Sequence, residues 1–543
     1  MTQPWEERAA KKRAELYEKI PLEWRLPSEY LTGSMDSDDN VLDVPSRCGL
    51  LSSEELEITE KYNAITLAKA VQSGSLKAKS VATAFCKRAA IAQQLTSCLT
   101  ETFFNDAIER GEWLDQIYQQ TGKPVGPLHG VPVSLKECFN VKNHPSCVGM
   151  VSFLDRPVAE ENSFLVDILL DLGAILYCKT NIPVTMMSAD SENNVFGRVL
   201  NPHRLSLGAG GSSGGEGALI ALRGSVLGVG TDIAGSVRIP ALCNGTYGFK
   251  PTTHRIPTGK QASGGGRKGS PCFSAIAGPL ANTFEDLVAF TEAVLNSKPW
   301  NRDPTCIGYP WRAEVANAAP VRKRIGYFIE DPELPLQPPV LRALENAAKT
   351  LTAGGFELVP LSNTPSLMTG FKIANDYFSL DNSKMPLQHI LASGEPIIRS
   401  LLRTMDIMKA KPTDYTLDDL WDINVAAQEY KAAWHKQWVE NDVDVVLCAG
   451  AQTTAVPHDT FGLPHYTTVW SLLEYAAVII PTGKADKAVD VDELARSDKV
   501  RTYKAEEVHG APMAIQLVAR NYHDEELIAL ARAVDQCLKE NGS

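Results

Sequence analysis

The sequence predicts an α/β protein in which one large domain follows an N-terminal helical arm. Three observations predict it. Between about residues 125 and 249, short β-branched runs (Val131 to Leu135, Ala174 to Cys178, Val226 to Val229) alternate with helical stretches and glycine-rich turns. Apolar runs of this kind suit strands buried on both faces. Helical spacing dominates from about Val340, as in LRALENAAKTL, and strands return at Val443 to Leu447 and Ala477 to Ile480. Finally, Trp5, Ala9, Leu16 and Ile20 line one face of a charged N-terminal helix, and nothing after about residue 60 signals a further domain boundary.

The arm reads as a helix capped by Thr2, with Pro4 in its first turn. Its apolar face could pack on a second subunit, so a homodimer is possible. A second helix is expected from about Ser80 to Leu95, with Val81, Ala84, Phe85, Ala89 and Ile91 inward. Asn296 to Arg324 reads as a long connection, and the charged stretch Lys484 to Glu507 as an exposed loop or lobe.

The 543 residues are 44% hydrophobic and 22% charged, with a formal net charge of -12. That balance argues against a nucleic-acid binder, which carries a basic stripe, and against docking on an anionic membrane face. The first twenty residues are too charged for a signal peptide. The longest apolar run, Phe164 to Cys178, is interrupted by Asp167 and Asp171, short of the ~18 apolar residues of a membrane helix. Eleven cysteines are scattered without CxxC spacing, which fits reduced thiols in a cytoplasmic protein and no metal site. Cys138 and Cys147 lack the paired histidine a nucleophilic thiol needs.

The richest segment is LGAGGSSGGEG, Leu207 to Gly217. Glycine at this density lets the backbone approach a ligand closely, and three readings compete. Phosphate binding needs GxxxxGK[ST], which does not occur; a literal GxGxxG at Gly264, Gly266 and Gly269 follows no strand. A nucleophile elbow fits Gly210 to Gly214 literally, but its lead-in is a weak strand, and His458, His465, His509 and His523 stand in no distinctive context. The third reading joins three pieces. A Gly/Ser turn, Gly228 to Pro240, directly follows the apolar run Val226 to Val229, and such a turn can aim several backbone N–H groups into one cavity. Ser236 ends that turn, Ser212 sits in the first cluster, and Lys136 ends the strand GVPVSLKE. Together, in this order, they suggest a Ser–Ser–Lys triad.

At GGSSGGEGAL (Gly210 to Leu219), GVGTDIAGSVRIPA (Gly228 to Ala241) and GVPVSLKE (Gly130 to Glu137) the sequence resembles the amidase-signature family. TNIP at Thr180 to Pro183, Asn201-Pro202, GPLANTFEDL at Gly278 to Leu287 and HGAPMAIQLVAR at His509 to Arg520 extend the resemblance over nearly the whole chain. WEERAAKKRAELYEKIP and CKRAAIAQQLTSC are similar to the acetamidase-type amidases of fungi. Animal fatty acid amide hydrolases are similar in the core, but no membrane anchor has a counterpart here.

The resemblance implies a large mixed β-sheet covered by helices on both faces, with residues 1–60 as the arm and 61–543 as the catalytic domain. It implies an amidase releasing ammonia from a monocarboxylic acid amide, a small-molecule substrate, with no cofactor and no metal. Ser236 would be the nucleophile, Ser212 the bridge after a cis linkage from Gly211, and Lys136 the base. The N–H groups of Ile233, Ala234, Gly235 and Ser236 would form the oxyanion hole. Met186 and Ser188 would line the acyl side. Ser213 and Thr231 would support Ser212, and Arg238 would pair with Asp232. Ala234, Asn143 and Cys147 depart from the commoner residues, and Ala234 fits only where φ is negative. An amidotransferase subunit, a fatty-acid-amide-type hydrolase and an idle binding protein on this scaffold are the alternatives. Lysine acts as a base only when neutral; from ~10.4, working near pH 7.5 needs about 4 kcal/mol of disfavour for the charged form, which apolar burial can supply.

Overall fold

The computed structural model describes residues 4–31, 33–269, 272–320, 323–407, 411–496 and 502–541. Its spine is one sheet of eleven strands. Numbered along the chain they are β1 (Leu99–Thr102), β2 (Pro132–Lys136), β3 (Ile175–Thr180), β4 (Leu227–Asp232), β5 (Tyr247–Lys250), β6 (Ile276–Ala281), β7 (Arg324–Tyr327), β8 (Glu357–Pro360), β9 (Val445–Cys448), β10 (Ala476–Lys484) and β11 (Pro512–Ala519). Across the sheet they lie in the order β1-β3-β2-β4-β6-β5-β10-β11-β9-β7-β8. The β3-β2-β4 and β9-β7-β8 groups are parallel, and antiparallel pairs join them. Every residue of β2, β3 and β4 is buried, so helices cover both faces there.

All five strands expected from sequence are present, displaced by one to four residues at their ends. The six others carried weaker signals. β6 reads IAGPLA, with a glycine and a proline that usually argue against a strand, and β1, β5, β7 and β8 have only four residues each.

Five helices shape the arm and the site: α1 (Trp5–Glu18), α2 (Ala78–Thr96), α3 (Gly214–Ala221), α4 (Arg238–Asn244) and α5 (His465–Leu472). Pro4 itself stands at the N-cap of α1, and Thr2, the expected cap, lies outside the described residues. The apolar face of α1 is already occupied. Ala9 and Leu16 pack on Cys147, Met150, Val151 and Phe153, with Trp5 at the edge. Arg8 donates to the Val151 carbonyl at 2.9 Å, and Arg13 to the carbonyls of Asn194 and Val195 at 3.0 and 2.9 Å. The face offered to a second subunit is thus filled by the chain's own loops. Ile20, Trp24 and Ile58 share one core with Leu67 and Val81, so the core runs continuously across residue 60.

Between Asn296, which ends a helix, and Arg324, which begins β7, regular structure among the described residues is limited to the turn Pro299–Asn301 and the short helix Ala313–Ala316, as a connection should have. The charged stretch from Lys484 is exposed over much of its described length but pinned at Asp490 and Tyr503, and its residues 497–501 lie outside the described residues. Asp490 is buried and accepts from both Arg342 Nε at 2.6 Å and Nη2 at 2.7 Å, and Tyr503 is buried beside it. An ion pair with two hydrogen bonds holds a polar segment against the body. No described helix is long and apolar enough to cross a membrane.

Candidate active site

Strand β2 delivers the lysine. Alternation puts Val133 and Leu135 on one face and Ser134 and Lys136 on the other, all fully buried. Lys136 Nζ donates to Ser212 Oγ at 2.7 Å, Thr231 Oγ1 at 2.8 Å and the Thr231 carbonyl at 3.3 Å. Burial lowers its pKa to about 8, against the opposing pull of Cys138, Asp232 and Glu216. Keeping it charged there costs ~3 kcal/mol more than in water. Glu137, next in sequence, anchors a neighbouring loop instead: it accepts from Cys147 N–H at 2.9 Å and Thr100 Oγ1 at 2.5 Å and pairs with Lys179 at 3.3 Å.

The first Gly/Ser cluster brings Ser212 to this lysine. The peptide from Gly211 to Ser212 is cis, and a side chain on Gly211 would meet the Ser188 carbonyl at 2.4 Å. Helix α3 starts two residues after Ser212 and is seated by Gly215, whose N–H donates to the Asn181 carbonyl at 3.0 Å. The supporting roles differ from expectation. Ser213 ties the two Gly/Ser turns through its backbone, donating to the Ser236 carbonyl at 3.1 Å, while its buried hydroxyl has no partner among the described residues. Thr231 serves Lys136 rather than Ser212.

The second turn links β4 to α4. Asp232 closes β4 and receives Arg238 in a two-pronged pair, Nη2 to Oδ1 at 2.9 Å and Nε to Oδ2 at 3.0 Å. Both are fully buried. Against burial, which raises it, the Arg238 guanidinium holds the Asp232 carboxyl well below the usual range. Asp232 also accepts the N–H of Gly235 at 2.8 Å and of Val237 at 3.1 Å. Gly235 is therefore not a free oxyanion donor, because a carboxylate already holds its N–H. The N–H groups of Ile233, Ala234 and Ser236 donate to no group among the described residues. Ala234 is not at positive φ, so its methyl fits the turn. Asn143, at φ +68, is a residue that tolerates this region. Arg238→Ala is expected to lower stability by ~3–5 kcal/mol, since it strands a buried carboxylate. Chemical denaturation measures this; a loss no larger than the ~1 kcal/mol of an exposed pair would remove the anchor role.

Ser236 is 8% exposed, and its hydroxyl makes no hydrogen bond among the described residues. It borders a narrow cavity of about 40 Å³ with Met186, Ser188, Ile233, Ala234, Phe378 and Thr468. Met187, Ile233, Phe378 and Thr404 are shared with a much larger cavity of about 720 Å³, walled also by Tyr377, Leu387, Ile390 and Leu401. Sequence reasoning placed Met186 and Ser188 here but missed the walls from residues 371–405 and 462–468, which carry no local motif. The GxGxxG glycines belong to a loop, not a helix start; Gly264 and Gly266 line the large cavity.

The competing nucleophile readings lose their partners. His458 bonds the Leu205 carbonyl, His523 the Asn521 carbonyl, and buried His465 lies against Phe371; none bonds Ser212 or Ser236. Burial pushes the thiols of Cys138 and Cys147 up, away from the reactive thiolate.

A family model described as Amidase matches residues 80–528. The chain is 40% identical over 540 residues to an amidase of Gibberella moniliformis, covering 98% of this chain and 99% of that protein. It is 36% identical over 561 residues to an acetamidase of Emericella nidulans, covering 99% of each. A solved fatty acid amide hydrolase superposes with a TM-score of 0.91 at 30% identity, covering 98% of this chain and 95% of that one. With a match spanning most of its length, and two Gly/Ser turns folded onto one buried lysine, this chain belongs to the amidase-signature family.

Proposed function

We propose that the chain, an amidase that hydrolyses amide C–N bonds, releases ammonia from monocarboxylic acid amides through an acyl-enzyme on Ser236. The observation that carries this reading is the buried Lys136, hydrogen-bonded to Ser212 beside the Ser236 turn. Neutral Lys136 takes the Ser212 proton as Ser212 takes that of Ser236, and Ser236 Oγ attacks the carbonyl carbon. The N–H groups of Ile233, Ala234 and Ser236 receive the oxyanion. The proton returns through Ser212 to the nitrogen, the C–N bond breaks, and ammonia leaves. Water then cleaves the ester by the same relay. No cofactor takes part in this scheme. The unpaired thiols of all eleven cysteines support a cytoplasmic setting.

The large cavity favours the fatty-acid-amide-type alternative over acetamide itself. A ligand of four heavy atoms fills little of about 720 Å³, whereas ligand pockets normally enclose most of their ligand. On a panel of primary amides scored by ammonia release, kcat/KM is expected to rise up to ~4-fold per added methylene. A profile that is flat or falls beyond acetamide would favour the small-amide reading. A labelled serine with no turnover of any amide would point to the binding-protein alternative, and turnover only with copurified subunits to an amidotransferase.

A further inference from the structure

The turn that carries Ser236 is held from outside by helix α5, more than 230 residues along the chain. The carbonyl of Ala234 accepts the Thr467 hydroxyl at 2.6 Å and the Thr468 hydroxyl at 3.3 Å. Thr467 Oγ1 also lies 3.1 Å from the Pro464 carbonyl, the longer of its two contacts. The next group of the same peptide, the N–H of Gly235, is held by Asp232 at 2.8 Å. One peptide plane is thus fixed at both ends by side chains. Gly235 sits at φ +126, and a Cβ there would fall 2.3 Å from Thr467 Oγ1, so hydroxyl and turn are in direct contact.

The same helix face is tied to the anchor of the turn. Ser471, one helical turn after Thr467, accepts from Arg238 Nη2 at 2.9 Å. Gln516 accepts from Arg238 Nη1 at 3.0 Å and donates to the Tyr466 carbonyl at 3.1 Å. Helix, arginine and turn therefore form one buried hydrogen-bonded unit. The fixed plane lies between the free N–H of Ala234 and the free N–H of Ser236. Rotating it would swing both donors, and donors catalyse only when aimed before charge develops.

We propose that Thr467, seconded by Thr468, is a positioning residue that aims the Ala234 and Ser236 N–H groups at the oxyanion. This rests on Ser236 being the nucleophile. Thr467 touches no reacting atom; it acts through the Ala234 carbonyl. Thr467→Val keeps the shape and removes the donor, whereas Thr467→Ser keeps the donor.

The test measures kcat and KM for a primary amide with the wild type, T467V and T467S, and the Ki of an aldehyde forming a tetrahedral adduct on Ser236. T467V is expected to lose ~10–100-fold in kcat, below the ~10²–10³-fold of a deleted donor, with KM within about threefold. The aldehyde Ki should weaken in step with kcat/KM, while inhibition by the carboxylate product stays unchanged. T467S should recover at least a third of wild-type kcat. A T467V enzyme with wild-type kcat would overturn the proposal. So would loss in T467V and T467S alike with product inhibition weakened equally, the mark of a general packing defect. Normal turnover by S236A would sink the underlying triad instead.

Discussion

Replacing Ser236 by alanine is expected to lower kcat by ~10³-fold or more, the scale seen when a covalent nucleophile is removed. The effect should fall on kcat, because Ser236 contributes a single hydroxyl to a cavity walled also by Met186, Phe378 and Thr468, among others. The fold should survive: that hydroxyl makes no hydrogen bond among the described residues, so its removal strands no described partner. Backbone contacts of residue 236, such as the bond received from Ser213 N–H, remain in the variant. Steady-state ammonia release with a thermal-unfolding control measures both halves. Near-normal turnover would remove Ser236 from the mechanism.

The second large effect concerns Lys136. Lys136→Ala is expected to lose activity on the same ~10³-fold scale, and the pH profile of the unmodified enzyme gives a separate reading. Burial lowers the Lys136 pKa to about 8. Below that pH the amine is protonated and cannot act as a base, so kcat/KM should fall about tenfold per pH unit, to ~1% of its plateau at pH 6. Above about pH 8 it should level off. Unfolding does not explain such a fall. The folded chain releases this proton before the unfolded one does, so the lysine's contribution to stability improves between about pH 8 and its ordinary value near 10.5, and is constant below. Glu216 adds the opposite trend. Burial raises it to about 8 against bonds from Ser134 and Thr180, so folding gains from its protonation as pH falls from 8 toward 4.5. The Lys136→Ala variant should keep only a residual rate without this limb. Full activity at pH 7 would exclude the neutral-amine base.

Much of the site was legible because its parts lie in three short segments, two of them with unusual glycine and serine content. Gly211 and Gly235 are demanded by backbone approach, to the Ser188 carbonyl and to Thr467 respectively. Local chemistry of that kind leaves a trace in the sequence. The distribution of hydrogen bonds did not. Asp232 lies close enough to Gly235 to take its N–H, so among the described residues three donors rather than four are free. Ser213 faces its hydroxyl into a buried spot with no acceptor among the described residues, and Thr231 turns toward the lysine. Such choices depend on side-chain direction, which a residue list does not contain. Thr467 and Thr468 lie on an eight-residue helix with no motif, and only the sheet order brings them to the turn. In the fold, long β-branched strands announced themselves, while β6, with Gly278 and Pro279, is a strand through its pairing with β4 and β5. The arm illustrates the same limit: the spacing of Ala9 and Leu16 fixed a buried face, but not that Met150 and Phe153 would cover it.

The most direct measurement follows covalent labelling of Ser236 by a fluorophosphonate, located by mass spectrometry, as a function of pH. The expected rate rises with pH to a midpoint near 8, on Ser236 alone, and collapses when Lys136 or Ser212 is replaced by alanine. Labelling that is independent of pH, lands on another residue, or continues unabated without Lys136 would contradict the account.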